Sequence, residues 1–291
     1  MKIAIASSGL GHVSRGIEAW AADLAAALHA AGVPVTLFSA APLPSPAVIV
    51  PCLKRSDART ARLLRHMPRG MWRLGLGSPY DIEQTTFAWH LIGELRQREI
   101  DILHVQDPGV AVLVQRAGRL GIVKTRVILA HGTEEPLSFL KKITYLQHLA
   151  PWHMEQAKAA GVHKPTWTAI PNFIDTEIFS PGRPSSLRTE LGIPQDAPVV
   201  LTVAAIRRTH KRIDYLLSEF AGVLAGHPGA HLVIAGGEES DTGELMREGK
   251  EKLGERVHFL VRFPRDRMPE LYRNADLFVL CSLKEMMPIA L

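Results

Sequence analysis

Short apolar runs alternate with longer amphipathic stretches along this chain, and they do so in two blocks. The first block holds KIAIA (2–6), VTLFSA (35–40), VIVPCL (48–53), DILHVQ (101–106), RVILAHG (126–132) and ITYLQHL (143–149), with a helix-like segment from about Gly16 to Ala31 after the first run. The second holds VVLTVAA (199–205), HLVIAGG (231–237), VHFLV (257–261) and DLFVLCS (276–282), each pair separated by helical patterning. Strands spaced by helices build βαβ units and a parallel sheet. The chain is therefore expected to be α/β with two Rossmann-like units. The second, with four strands, is short of a six-stranded doubly wound sheet. Between the blocks, 178–198 is rich in Pro, Ser and Gly and reads as a linker. The expected division is 1–177, a 178–198 linker and 199–291. A chain of 291 residues is near the size at which one core gives way to two.

Composition narrows the class. Hydrophobic content of 46% with 22% charged residues belongs to globular proteins, and no apolar run is long enough to span a bilayer. The N-terminal run is too short for a signal-peptide core and leads into a glycine turn. Cys52 and Cys281 lie far apart without metal-ligand spacing, as expected of thiols in a reducing cytoplasm. The net charge of +5 suits phosphate or a membrane surface, or simply a solvated face. No nucleic-acid-binding signature accompanies it, so nucleic acid is not an expected partner.

Two glycine turns follow strand runs. SSGLGHVSRGIE (7–18) sets Gly9, Gly11 and Gly16 at a strand-to-helix junction, where backbone amides can approach a diphosphate. A tight turn with no ligand explains the same residues. The pattern departs from G-x-G-x-x-G and has no acidic residue at ribose distance, which disfavours a nicotinamide cofactor. AGGEES (235–240), with Gly236, is equally open to ligand contact or to a plain loop.

Five segments in order carry a resemblance. RGIEAWAADLAAAL (15–28) is similar to G-G-x-E-x5-L-A-x-x-L, and PNFIDTEIFSP (171–181) to PNGVDxxxFxP. HKRIDYLL (210–217) is similar to K-G-x-D-x-L-I, HLVIAGG to LVIxGxG, and LYRNADLFVLCSLKE (271–285) to the segment that leads into an E-x7-E motif. Together they resemble retaining glycosyltransferases of family 4 with the GT-B fold, over essentially the whole chain. The resemblance implies two Rossmann-like domains facing across a cleft, the first on the acceptor side and the second binding the nucleotide sugar. It implies sugar transfer from a nucleotide-diphosphate sugar to a glycan, lipid or small-molecule acceptor with retention. It implies no metal and no cofactor, the donor serving as co-substrate. The first Glu of E-x7-E matches Glu285 and the second falls past Leu291, so the second domain is expected to be truncated and its activity uncertain.

By the same resemblance the catalytic set is His131, Lys211, Arg208 and Glu285. Donor binding falls to Gly9, Gly11, Lys211, Arg208, Gly236 and Glu285. A departing diphosphate builds negative charge that fixed cations and helix-terminal amides can stabilise. Lys211 matches the family's diphosphate lysine. Strict spacing puts Ala205 or Ile206 where the family has its arginine, so Arg208 or Arg207 must substitute. His131, at a strand tip, matches the histidine that contacts the donor sugar, and Glu285 matches the acid that bonds sugar hydroxyls. Met286, Met287 and Pro288 stand where the family often has Gly-Phe-Gly, and bulky Met there is expected either to shape donor choice or to block it. Glu134 and Glu135 read as solvated loop acids, and His104 as a core histidine.

Between Lys54 and Arg73 lie seven Lys or Arg residues and one Asp. Arg55, Arg59, Arg62, His66, Arg69 and Arg73 recur at helical spacing on one face, with Pro68 dividing the helix. Arg55, Arg59, Arg62 and Arg69 are the candidates for an acceptor or for peripheral contact with an anionic membrane, at the inner face of a cytoplasmic membrane. A solvated helix face is the alternative. The rival functions are an inactive carbohydrate- or nucleotide-binding remnant, another GT-B enzyme such as a nucleotide-sugar epimerase, and a dehydrogenase.

Overall fold

The computed structural model describes residues 1–291 except Ser14, Arg69, Pro184 and Leu291. The chain divides into two units. One is Met1–Asn172 with Met286–Pro288; the other is Phe173–Glu285 with the residues after Pro288.

The first unit runs β1 (Ile3–Ser7), α1 (Gly16–Ala30), β2 (Val35–Ser39), β3 (Val48–Ile49), α2 (Ala58–His66), α3 (Pro79–Arg98) and β4 (Ile102–Val105). It continues with α4 (Pro108–Arg119), β5 (Arg126–His131), α5 (Leu137–Leu140), β6 (Tyr145–His148), α6 (Pro151–Ala159) and β7 (Trp167–Ala169). Among the described residues its sheet has seven strands in the order β3-β2-β1-β4-β5-β6-β7. Every pairing is parallel. The strands are apolar almost throughout because helices cover both faces. Phe87, Leu91 and Leu95 of α3 and Val110 and Val114 of α4 pack on Leu103, Val105 and Leu129 of β4 and β5. Each such side chain, fully buried, contributes about 1.5–3 kcal/mol. α3 starts sharply: Pro79 sits in its first turn, and the Ser78 hydroxyl accepts from Asp81 N at 3.1 Å.

β3 is shorter than the run VIVPCL suggested. Val50 N still donates to Ser39 O at 2.8 Å, but Pro51 has no amide to extend the ladder.

The basic stretch also differs from expectation. α2 begins after Asp57, because Lys54 N donates to Asp57 Oδ2 at 3.2 Å and Asp57 N to Lys54 O at 3.0 Å, a tight turn that keeps Arg55 out of the helix. α2 ends at His66, with Met67 extended ahead of Pro68. Arg59 and Arg62 are exposed on it, while Arg73 sits in a separate 3-10 turn. Arg69 lies outside the described residues. The single six-residue face is thus corrected to a short helix carrying Arg59, Arg62 and His66.

The second unit runs α7 (Leu187–Glu190), β8 (Val199–Val203), α8 (Ile213–Gly226), β9 (His231–Gly236), α9 (Thr242–Leu253), β10 (Val257–Val261), α10 (Met268–Arg273) and β11 (Leu277–Phe278). Among its described residues the sheet is four-stranded and parallel, in the order β10-β9-β8-β11. β9 shows the two-residue period at work: Leu232 and Ile234 join one core with α8 and α9, while Val233 and Ala235 join the core on the opposite face. Leu187, Ile193 and Ala197 belong to that opposite core, so the Pro- and Ser-rich stretch includes packed chain. Arg188 holds it in place. Its guanidinium donates to the carbonyls of Gln195 and Ala197 at 3.0 and 2.7 Å, and to Asp276 Oδ2 at 3.0 Å.

β11 is also shorter than DLFVLCS. Asp276 N and Val279 N bond the β8 carbonyls of Val199 and Leu201, after which Leu283 N donates to His210 O at 2.9 Å. That last bond draws the chain toward the loop after β8.

Candidate functional site

In open parallel sheets ligands collect at the carboxyl ends of strands, where strand order reverses. In the first unit that point lies between β1 and β4. It is filled by an inward-facing network. Asp107 Oδ1 accepts from the hydroxyls of Ser8 and Tyr80, both at 2.9 Å, and Oδ2 accepts from Ser8 N at 3.1 Å. Arg55 donates to Glu83 from Nε at 2.9 Å and from its backbone N at 2.7 Å, and its guanidinium lies 4.4 Å from the centre of the Tyr80 ring. His12 Nε2 lies 2.9 Å from Glu83 Oε2.

Asp107 is fully buried, and burial raises its pKa against the opposing bonds from Ser8. Burial works to raise Glu83 too, but the bonds from His12 and Arg55 outweigh it and hold the carboxyl below its usual range. Burial, then the charge of Asp107, pushes Glu18 up to about 7. Gly9 lies against the Glu18 carboxylate, with which any Cβ there would collide. Gly11 has φ +93°, a backbone that favours glycine, and Ala41 O lies 2.5 Å from where its Cβ would be. The Gly9–Gly11 turn is therefore shaped by protein contacts. Arg55 is engaged with Glu83 rather than presented on a basic surface.

His131 and His148 are the last residues of β5 and β6 and are partners in register. Their rings are buried, with Nδ1 atoms 3.4 Å apart and ring centres 5.5 Å apart at 69°. His153 of α6 adds a third ring 5.6 Å from His131. Burial, then the neighbouring rings His148 and His153, pulls His131 down to about 3. Burial, then His153 and His163, pulls His148 down to about 4. The His131 and His148 rings are neutral near pH 7. His104 behaves as a core histidine, pulled down to about 4 by burial and edge-on to Trp20 at 5.0 Å. Burial raises Glu135 above the ordinary carboxylate range, which sets it apart from a solvated loop acid.

In the second unit Lys211 sits in the loop between β8 and α8. Its flanking residues His210 and Arg212 have φ +70° and +52°, a left-handed backbone that is uncommon for non-glycine residues. The Lys211 ammonium pairs with Glu285, from the segment that the Leu283–His210 bond draws in. Arg208 turns elsewhere. Its amide donates to Asp241 Oδ2 at 2.7 Å and its guanidinium pairs with Glu248 at 2.8 Å. The bond to Glu248 raises its pKa. Arg207 Nε is buried and has no hydrogen-bond partner among the described residues. Ile206, one of the two positions (with Ala205) where the resemblance sets an arginine, is fully buried in the core. Gly236 abuts the Ala204 carbonyl so closely that a Cβ would collide with it.

The structure therefore joins Lys211 with Glu285 and keeps Arg208 on a separate acidic partner. His148, Glu83 and Asp107 were not among the sequence candidates. The histidine pair had a signal, since RVILAH and TYLQH end adjacent strand runs in the same residue. Among the described residues no group of three His, Cys, Asp or Glu is arranged to hold a metal ion.

Two family models match. Residues 14–178 match "Glycosyltransferase Family 4" and residues 185–291 match "Glycosyl transferases group 1". A D-inositol 3-phosphate glycosyltransferase of Segniliparus rotundus is 30% identical over 189 residues, 60% of this chain and 41% of that protein. An alpha-galactosylglucosyldiacylglycerol synthase of Streptococcus pneumoniae is 29% identical over 161 residues, 53% of this chain and 42% of that protein. The chain matches less than half the length of these relatives. Sucrose-phosphate synthase from Thermosynechococcus elongatus superposes with TM-score 0.72 at 19% identity, covering 99% of this chain and 77% of the other. Anabaena HepE in complex with UDP and glucose gives 0.64 at 16%, covering 98% and 75%. At these identities the structural likeness speaks for fold alone. With parallel sheets in both units and a family model over more than half its length, the chain belongs to Glycosyltransferase Family 4, with the GT-B fold.

Proposed function

We propose that this protein transfers a sugar from a nucleotide-diphosphate sugar to an acceptor hydroxyl with retention at the anomeric carbon. The observation that carries the reading is the Lys211–Glu285 pair. Residues 74 apart in sequence, each singled out by a different motif, meet beside a strained loop at the carboxyl end of β8. A lysine there stabilises the leaving diphosphate, and Glu285 accepts hydrogen bonds from sugar hydroxyls. Arg207, with its unpartnered Nε, is better suited than Arg208 to the diphosphate. Gly236 is proposed to let backbone approach the diphosphate, and His131 is the group proposed to contact the donor sugar. The anomeric C–O bond to phosphate breaks, the bond to the acceptor oxygen forms on the same face, and the departing phosphate takes the acceptor's proton. Solved relatives of the fold were captured with UDP and glucose and with UDP-2-fluoro glucose, which supports a nucleotide-sugar donor.

In this reading the acceptor belongs to the first unit and the donor to the second. Arg59 and Arg62, exposed on α2, are the proposed contacts for an anionic acceptor or membrane surface. No helix among the described residues is long and apolar enough to cross a membrane.

Calorimetry with UDP, GDP and their glucose and mannose conjugates tests the reading. Binding of a nucleoside diphosphate that Lys211→Ala weakens is expected. No binding of any of them at millimolar concentration would overturn it.

A further inference from the structure

We propose that His148 is a positioning residue for His131, fixing the proton on that ring through the facing Nδ1 atoms. The inference rests on the reading that His131 contacts the donor sugar. Parallel register puts the two residues side by side at the ends of β5 and β6. Their Nδ1 atoms, 3.4 Å apart, can attract only if one carries a proton and the other a lone pair. The two neutral rings must then be opposite tautomers, one protonated on Nδ1 and one on Nε2. The hydrogen-bonding character of His131 Nε2, buried and unpartnered among the described residues, is set by His148.

The surroundings reinforce this. His148 is 0% exposed, with Trp167 edge-on at 5.6 Å, and His131 is 4% exposed. Neither ring can swing freely. The titratable groups beside the two rings are themselves histidines, His153 from α6 and His163 ahead of β7. Thr133 and Glu135, whose carboxyl burial raises, lie in the loop that follows His131. Just after β4, Gln106 lies against Gly132, its Oε1 2.6 Å from where a Cβ would stand. Among the described residues no carboxylate is recorded acting on the His131 or His148 ring, so a proton taken up by one histidine repels the next. Where the proton reaches the Nδ1 lone pair of the accepting ring, two donors face each other and the fixed orientation is lost. The arrangement is a neutral ring held in one role, and its loss follows protonation of the cluster.

Long-range nitrogen–proton NMR correlations of the histidine rings in the full chain test the proposal without needing activity. In the wild type, His131 and His148 are expected to show opposite tautomers at pH 7 and to remain neutral to below about pH 5, under the ordinary histidine value near 6.5. Finding the same tautomer on both rings overturns the proposal, whether or not any variant folds. In His148→Phe, His131 is expected to populate both tautomers and to titrate closer to 6.5, while His148→Asn, whose amide can still donate, restores a single tautomer. A His131 ring unchanged in His148→Phe also overturns it. Transfer assays form a separate arm. His148→Phe is expected to lower kcat about tenfold, with donor KM little changed. A wild type that transfers no sugar removes the functional reading and leaves the NMR result standing.

Discussion

The two sheets treat charge at their strand ends in opposite ways. In the first unit Arg55, Glu83 and Asp107 are turned inward and bonded on several sides, with Glu83 and Asp107 fully buried. In the second, Lys211 and Glu285 are partly exposed, 18% and 23% at the side chain, and pair only at a loop whose backbone is strained. A charge bonded from several sides shapes a turn. A charge held by one exposed partner can exchange that partner for a ligand's phosphate. The same kinds of residue at the same place in an α/β sheet thus divide between architecture and binding according to burial and the number of partners.

Breaking the first arrangement should be costly. Glu83→Ala strands the Arg55 guanidinium and is expected to destabilise the chain by about 3–5 kcal/mol in urea unfolding. Lys211→Ala should change stability by less than about 1 kcal/mol. If the two variants lose similar stability, the contrast is wrong.

Acid offers the next largest effect. His131 is held at about 3 when folded, below the ordinary 6.5 or so of an unfolded histidine. Its folded pKa is depressed, so the unfolded chain binds the extra proton. Stability is fully present above about pH 6.5 and falls as pH drops toward the folded value. This ring alone should cost about 3 kcal/mol between pH 6.5 and 4. Urea midpoints across that window check it, and His131→Phe should flatten the slope.

At the binding end, Lys211→Ala is expected to weaken nucleoside diphosphate by about 1–3 kcal/mol, measured by calorimetry. Arg207→Ala should cost more than Arg208→Ala, whose guanidinium is engaged with Glu248. The reverse order would return the diphosphate to Arg208.

The smallest effect sharpens the strain argument. Arg212 holds φ +52° where the family pattern has glycine. Arg212→Gly should relieve strain and stabilise by up to about 1 kcal/mol, read as a rise in Tm.

The sheets were legible in the sequence because their strands are buried on both faces. Uninterrupted apolar runs such as LVIAG in β9 have few other homes. The pairing of Lys211 with Glu285 was legible only as two separate motifs. The fate of Arg55 was not legible at all. Its spacing from Arg59 and Arg62 matches a helix face, but its position is decided by Glu83, 28 residues away on α3. Periodicity reports what a residue's neighbours in sequence are doing, whereas a buried carboxylate recruits its cation through space. Arg208 illustrates the same limit, with Asp241 and Glu248 arriving from beyond β9.

The Arg188 clamp has a consequence for how the chain is made. Its guanidinium anchors 194–197 early, but its carboxylate partner Asp276 lies 88 residues downstream. At about 5–20 residues per second, a ribosome needs roughly 4–18 s to supply that partner. The first unit's strands through β7 have all been synthesised by residue 169, so that sheet can close while Arg188 still waits. During that interval the nascent second unit holds a cation at its future core without a counter-ion, the window in which a chaperone or a nearby acidic surface would compete for it.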